Sequence, residues 1–80
     1  MIVKPLTVEV ELDTTPSTVD GAAIVRLYNI DSGDVVITNT TTSASFTMPT
    51  GSITFCQKLP TETLTASANV KATSVAFTIS

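Results

Sequence analysis

The chain has no histidine, no tryptophan, a single cysteine and only four basic residues among its 80 amino acids. Each shortage excludes something. Without histidine, the side chain most often used for acid–base catalysis at neutral pH is missing. With Cys56 alone, no disulfide can close within the chain. A protein-built metal site is not expected either, because the seven carboxylates are scattered along the sequence. Nucleic-acid binding calls for a basic stripe, and Lys4, Arg26, Lys58 and Lys71 are far apart in a chain of net charge −3. No apolar run approaches the ~20 residues of a membrane-spanning helix. A cleavable leader is not expected, because Thr7-Val8-Glu9-Val10-Glu11 interrupts the apolar start. The chain is therefore expected to be made and kept in a cytoplasm, or released by lysis.

What replaces the ions is hydroxyl. Charged residues make up 14% of the chain, against a typical ~25%, while Thr and Ser contribute 16 and 8 residues. Mean hydropathy is nonetheless positive, at +0.37. A surface of short hydroxyls loses its water cheaply, and interface cores are depleted in charge. An 80-residue chain forms one domain, here residues 1–80, with a thin core. Small domains usually add a disulfide, a metal or a partner. Oligomerisation or docking is the remaining option.

Period-two alternation dominates the pattern. Thr7–Leu12 alternates without a miss and predicts a strand with Val8, Val10 and Leu12 inward. Ala22–Ile30 reads as a long central strand with Val25 and Leu27 on one face. Asp31-Ser32-Gly33-Asp34 predicts a tight hairpin turn, with Gly33 at positive φ, returning through Val35–Thr38. Ala44–Met48 places Ala44, Phe46 and Met48 together, and Pro49-Thr50-Gly51 suits a type II turn. Ile53–Gln57 predicts Ile53 and Phe55 inward with Cys56 on the opposite face. Leu59–Leu64 reads as irregular, and Thr73–Ile79 as the closing strand with Val75, Phe77 and Ile79 inward. The fold class expected is all-β: a small antiparallel β-sandwich or flattened barrel of about six to seven strands. Its core should hold Val8, Val10, Leu12, Val25, Leu27, Phe46, Ile53, Phe55, Val75 and Phe77.

The groups that could carry chemistry have plainer readings. Glu9 and Glu11 share a solvated strand face. Asp31 and Asp34 fall short of the oxygens that calcium prefers. Cys56 lacks an activating base and reads as a small apolar filler. Asn39-Thr40-Thr41 matches a glycan acceptor pattern without the secretory context that gives it meaning. No catalytic residue, cofactor or metal ligand is expected, and the chain reads as a non-enzyme. The N-terminal residues 1–6 stand apart. Ile2, Val3, Pro5 and Leu6 are apolar without alternation, and form a candidate arm that extends the first strand or contacts a neighbour.

Residues 51–77 carry a resemblance. A strand is followed by Lys58, Pro60, Glu62 and Leu64, then the Ala66-Ser67-Ala68 stretch, then Ala72-Thr73 and Val75-Ala76-Phe77. This resembles the C-terminal half of small β-sandwich virion proteins of marine tailed phages, cyanophages among them. The Arg26–Asn29 and Asp31–Asp34 segments resemble it more loosely, and residues 1–20 do not. The resemblance implies a virion structural protein, made in the host cytoplasm. The role it favours is decoration or cement, bound to the major capsid protein or other virion proteins and self-associating on the particle. A short-tail or fibre-base subunit is the alternative. A third reading, from another class, takes Thr38, Thr40 and Thr42 with Thr61, Thr63 and Thr65 as a solute- or ice-binding array; threonine's preference for strands accounts for them without it.

Overall fold

The structure is a computed structural model that describes residues 2–78, with the backbone only for Ile2, Phe77 and Thr78. The described residues contain no helix and form eight strands. These are β1 (Ile2–Pro5), β2 (Val10–Leu12), β3 (Ile24–Asn29), β4 (Val35–Asn39), β5 (Ala44–Met48), β6 (Ile53–Gln57), β7 (Leu64–Ala66) and β8 (Val70–Thr78). They build two antiparallel sheets. The larger runs β1-β8-β3-β6, with β2 also paired to β8, and the smaller runs β5-β4-β7. The architecture is thus a sandwich of eight strands, with β1 and β7 as the elements that alternation did not announce.

The core lies between the sheets. Leu12, Val25, Leu27, Val70 and Ala72 come from the larger sheet, and Val35, Ile37, Met48, Leu64 and Ala66 from the smaller, all buried. Val19 and Ala22 close the assembly from the loop before β3. Val75 is buried as expected, and Val10 is half-buried against the cluster.

Three expected core residues lie elsewhere, and a fourth sits at the rim. Val8 sits in the link between β1 and β2 and is 83% exposed. Ile53 and Phe55 are 51% and 42% exposed, because β6 is turned over relative to the alternation reading. Its register explains the inversion. Cys56 is opposite Val25 and Thr54 opposite Leu27, so those two share the core face, while Phe55 is opposite Arg26. A slip of one residue would exchange the faces. The turn before β6 pins the register, with Gly51 N donating to Asn29 O at 2.9 Å and Asn29 N to Ser52 O at 3.0 Å. Phe46 does lie on the inward face of β5, opposite Ile37, but at the sheet edge, where it is 37% exposed. The Phe77 side chain and Ile79 fall outside the described residues.

The segment Asp31–Asp34 is not a hairpin. β3 belongs to the larger sheet and β4 to the smaller, so the chain arches between layers there. Gly33 does not take a positive φ; Gly21 (φ 70°) and Gly51 (φ 74°) do. At Gly51 the sign is what the third position of a type II turn requires, and Ser52 N closes the turn onto Pro49 O at 3.1 Å. The β3–β4 arch is held by Asn29, which is fully buried. Its Nδ2 donates to Gly33 O (3.1 Å) and Met48 O (2.9 Å), and its Oδ1 accepts from Asp31 N (2.9 Å).

The N-terminal arm is a strand in its own right. β1 pairs with the far half of β8, Val3 opposite Phe77 and Pro5 opposite Val75. Pro5 is the last residue of an edge strand, a position where a missing N–H is tolerated. Val3, Pro5 and Leu6 are exposed.

Candidate interaction surface

The outer face of the larger sheet follows from the same register. On it, Tyr28 is opposite Ile53, Arg26 opposite Phe55 and Ile24 opposite Gln57. Lys71 adjoins Tyr28 across the β3–β8 ladder. Tyr28, Ile53 and Phe55 are exposed, as is Ile30 just past the end of β3 and Leu59 just past β6. Together these make an apolar surface along the β6 side of the sheet.

The charges on that face pair with one another. Arg26 Nη1 lies 3.4 Å from Glu9 Oε2, and its guanidinium carbon 5.9 Å from the Tyr28 ring centre. Lys71 Nζ lies 3.9 Å from Glu11 Oε2. Both pairs are exposed, so each contributes only ~0–1 kcal/mol to stability. Their larger effect is to leave the sheet face nearly neutral. Glu9 and Glu11 are therefore exposed, as the sequence predicts, but each has a cation beside it.

Lys58 differs from the other cations. The sequence offers it only as one of four scattered cations, yet it is buried. Its Nζ donates to Ala22 O at 2.6 Å and Leu59 O at 3.3 Å. Burial pushes its pKa down; Glu62 and Cys56 oppose this. Glu62 Oε1 accepts from Leu59 N at 2.7 Å, and Glu62 N closes a turn onto Leu59 O at 2.9 Å. The Leu59–Glu62 segment expected to be irregular is thus a hydrogen-bonded turn.

Between the edge strands β5 and β6 the two sheets part, leaving a cavity of about 310 Å³ walled by Ile37, Phe46, Cys56 and Leu64. Asn39 and Glu62 also line it. The Cys56 thiol is half-buried. Burial raises its pKa, Glu62 adds to the rise and Lys58 opposes it. The thiol thus stays protonated at neutral pH and lacks the thiolate character that marks a nucleophile.

The threonine series meet on the smaller sheet. Thr38 is opposite Thr65, and the Thr40 and Thr63 hydroxyls hydrogen-bond each other. They consume part of each other's bonding capacity instead of presenting a free array. At the β4–β5 hairpin Asn39 Oδ1 accepts from Thr41 N (3.0 Å) and Thr42 N (3.2 Å), which is turn chemistry. Among the described residues no group of three or more His, Cys, Asp or Glu gathers, and no helix is long and apolar enough to cross a membrane.

Of the four arm residues singled out from the sequence, Val3, Pro5 and Leu6 stand exposed along one end of the larger sheet. The Ile2 side chain lies outside the described residues. The second surface, formed by Tyr28, Ile30, Ile53 and Phe55, is not legible in the alternation, which places Ile53 and Phe55 in the core. No protein-family model, no curated protein and no solved structure matches the chain.

Proposed function

We propose that this chain is a non-enzymatic virion structural protein, a decoration or cement subunit that binds the outer surface of a capsid by its exposed sheet face. The observation that carries the reading is that face: Tyr28, Ile30, Ile53, Phe55 and Leu59 stand in water on a domain with few charges. Exposed apolar surface of this kind marks a contact site more often than chance. The flanking charges pair within the chain, so the face offers a nearly neutral surface to a partner. The resemblance of residues 51–77 to phage virion proteins supplies the identity of the partner, the major capsid protein or another virion protein.

The test is to purify particles from the cells that encode this chain and quantify it by mass spectrometry against the major shell subunit. Decoration predicts hundreds of copies per particle, and a tail or fibre-base subunit a dozen or fewer. Absence of the chain from intact particles refutes both.

A further inference from the structure

The last strand overshoots its neighbour. β8 pairs with β3 only between Val70 and Ser74, and residues 75–78 pair with β1 alone. At ~3.4 Å per residue, this two-stranded ribbon extends roughly 13 Å past the β3–β8 ladder. A lone pair of strands is marginal in water, and Val75 at the base of this one is buried. This one exposes Val3, Pro5 and Leu6 to solvent, tied at its base by Leu6 N donating to Ser74 O at 2.8 Å. Among the described residues, Lys4 on this ribbon is the one cation with neither an ion pair nor a hydrogen bond, since Arg26, Lys71 and Lys58 are all engaged.

The other end of the same sheet is its complement. Asn29 is opposite Val70, so the β3–β4 arch lies at the end of β8 remote from the ribbon. Ile30 is exposed there, beside the exposed pair Tyr28 and Ile53. Asp31 and Asp34 flank them, and neither has a cation. The arch is well held. Besides the three Asn29 bonds, the Thr50 hydroxyl donates to Asp31 O. One end of the sheet is therefore apolar and basic, and the opposite end apolar and acidic.

We infer that the protein self-associates ribbon to arch, the β1–β8 ribbon of one copy lying against Ile30 and the β3–β4 arch of the next, with Lys4 facing Asp31 and Asp34. Ribbon-on-ribbon or arch-on-arch contacts would bring like charges together; only ribbon on arch pairs opposite charges. Such a contact closes into a reciprocal two-fold dimer or a ring, or runs on as a filament. It gives a geometry to the self-association that the resemblance implies, and it needs no particle, so it stands or falls separately from the capsid reading.

The test uses the full chain and two variants, Leu6→Asp on the ribbon and Ile30→Asp at the arch. Both positions are exposed, so each variant should keep the wild-type circular dichroism spectrum and melting curve. In sedimentation equilibrium the wild-type mass should rise with concentration. Each variant alone should associate about tenfold more weakly or worse, because a charge at an interface centre is left without water. Mixed one to one, the variants should form a dimer and nothing larger, since each retains the half that the other lacks. Carbodiimide coupling of mixed isotope-labelled wild type should join Lys4 of one copy to Asp31 or Asp34 of another. The inference is overturned if the wild type is monomeric up to about 1 mM, if the mixed variants do not pair, or if only one of the two substitutions affects association.

Discussion

Replacing Asn29 with alanine should destabilise the domain far more than a polar-to-alanine change usually does. The side chain is fully buried and makes three hydrogen bonds, to Gly33 O, Met48 O and Asp31 N. Each is worth about 0.5–1.5 kcal/mol net, and a buried group left without its partner costs more. The sum is about 3 kcal/mol. At ~0.05–0.15 kcal/mol per residue, a domain of this size has only about 4–12 kcal/mol in total. With a urea dependence near 1 kcal/mol per molar, the unfolding midpoint should fall by about 3 M. Asn29→Asp should be worse at neutral pH. The new carboxylate would face two carbonyl oxygens, whereas its protonated form could donate to one of them. That raises its folded-state pKa, so the variant should lose stability progressively as pH rises through the carboxylate range. Urea titration of the wild type and both variants at pH 4 and pH 7 reads this directly. A loss below about 1 kcal/mol for Asn29→Ala, or an Asn29→Asp variant no less stable at pH 7 than at pH 4, would refute the assignment of Asn29 as the tie across the two connections.

The inverted face of β6 predicts opposite outcomes for two large side chains: Leu27→Ala should cost about 2–5 kcal/mol, as core truncations do, while Phe55→Ala should cost about 1 kcal/mol or less in denaturant titration. Lys58 has a folded-state pKa below its ordinary value, so between the two the unfolded chain binds more protons and Lys58 should add stability as pH rises toward 10.5. Cys56 has the opposite sign, its pKa being raised above 9.0, so its contribution falls with pH above that value; Cys56→Ala should steepen the alkaline rise and Lys58→Met should abolish it, read as unfolding free energy from pH 8 to 10.5. The same raised pKa predicts slow labelling of Cys56 by a disulfide reagent at pH 7, accelerating once pH exceeds 9; labelling at neutral pH as fast as a free thiol would show that the burial is not maintained.

Alternation made much of this legible. It placed Leu12, Val25, Leu27 and Val75 inward, and the structure buries all four. It failed at β6 because Ile53-Thr54-Phe55-Cys56 offers a large apolar face and a small one. The choice between them is made by the pairing with β3, through bonds between Asn29 and the Gly51–Ser52 turn. Residues more than twenty positions apart are involved, and no local pattern carries that information. Asp31–Asp34 has hairpin composition, yet Asn29 just before it is buried between the two layers and directs the chain across. Lys58 reads as a surface cation because its partner carbonyl, on Ala22, comes from another part of the chain. The apolar arm was visible in the sequence. That it would face an acidic end of the same sheet followed only from the β8 register.

The proposed docking of the outer face of the larger sheet on a particle, through apolar contact, is tested on the particle itself. Stripped particles should be incubated with the wild type and with an Ile53→Asp/Phe55→Asp variant, at low salt and in 1 M NaCl, and the bound chain measured by co-sedimentation. Both substituted positions are exposed, so the variant should fold. The wild type should bind equally at both salt concentrations, and the folded variant at neither. Release of the wild type by 1 M NaCl, or undiminished binding of the variant, would contradict it.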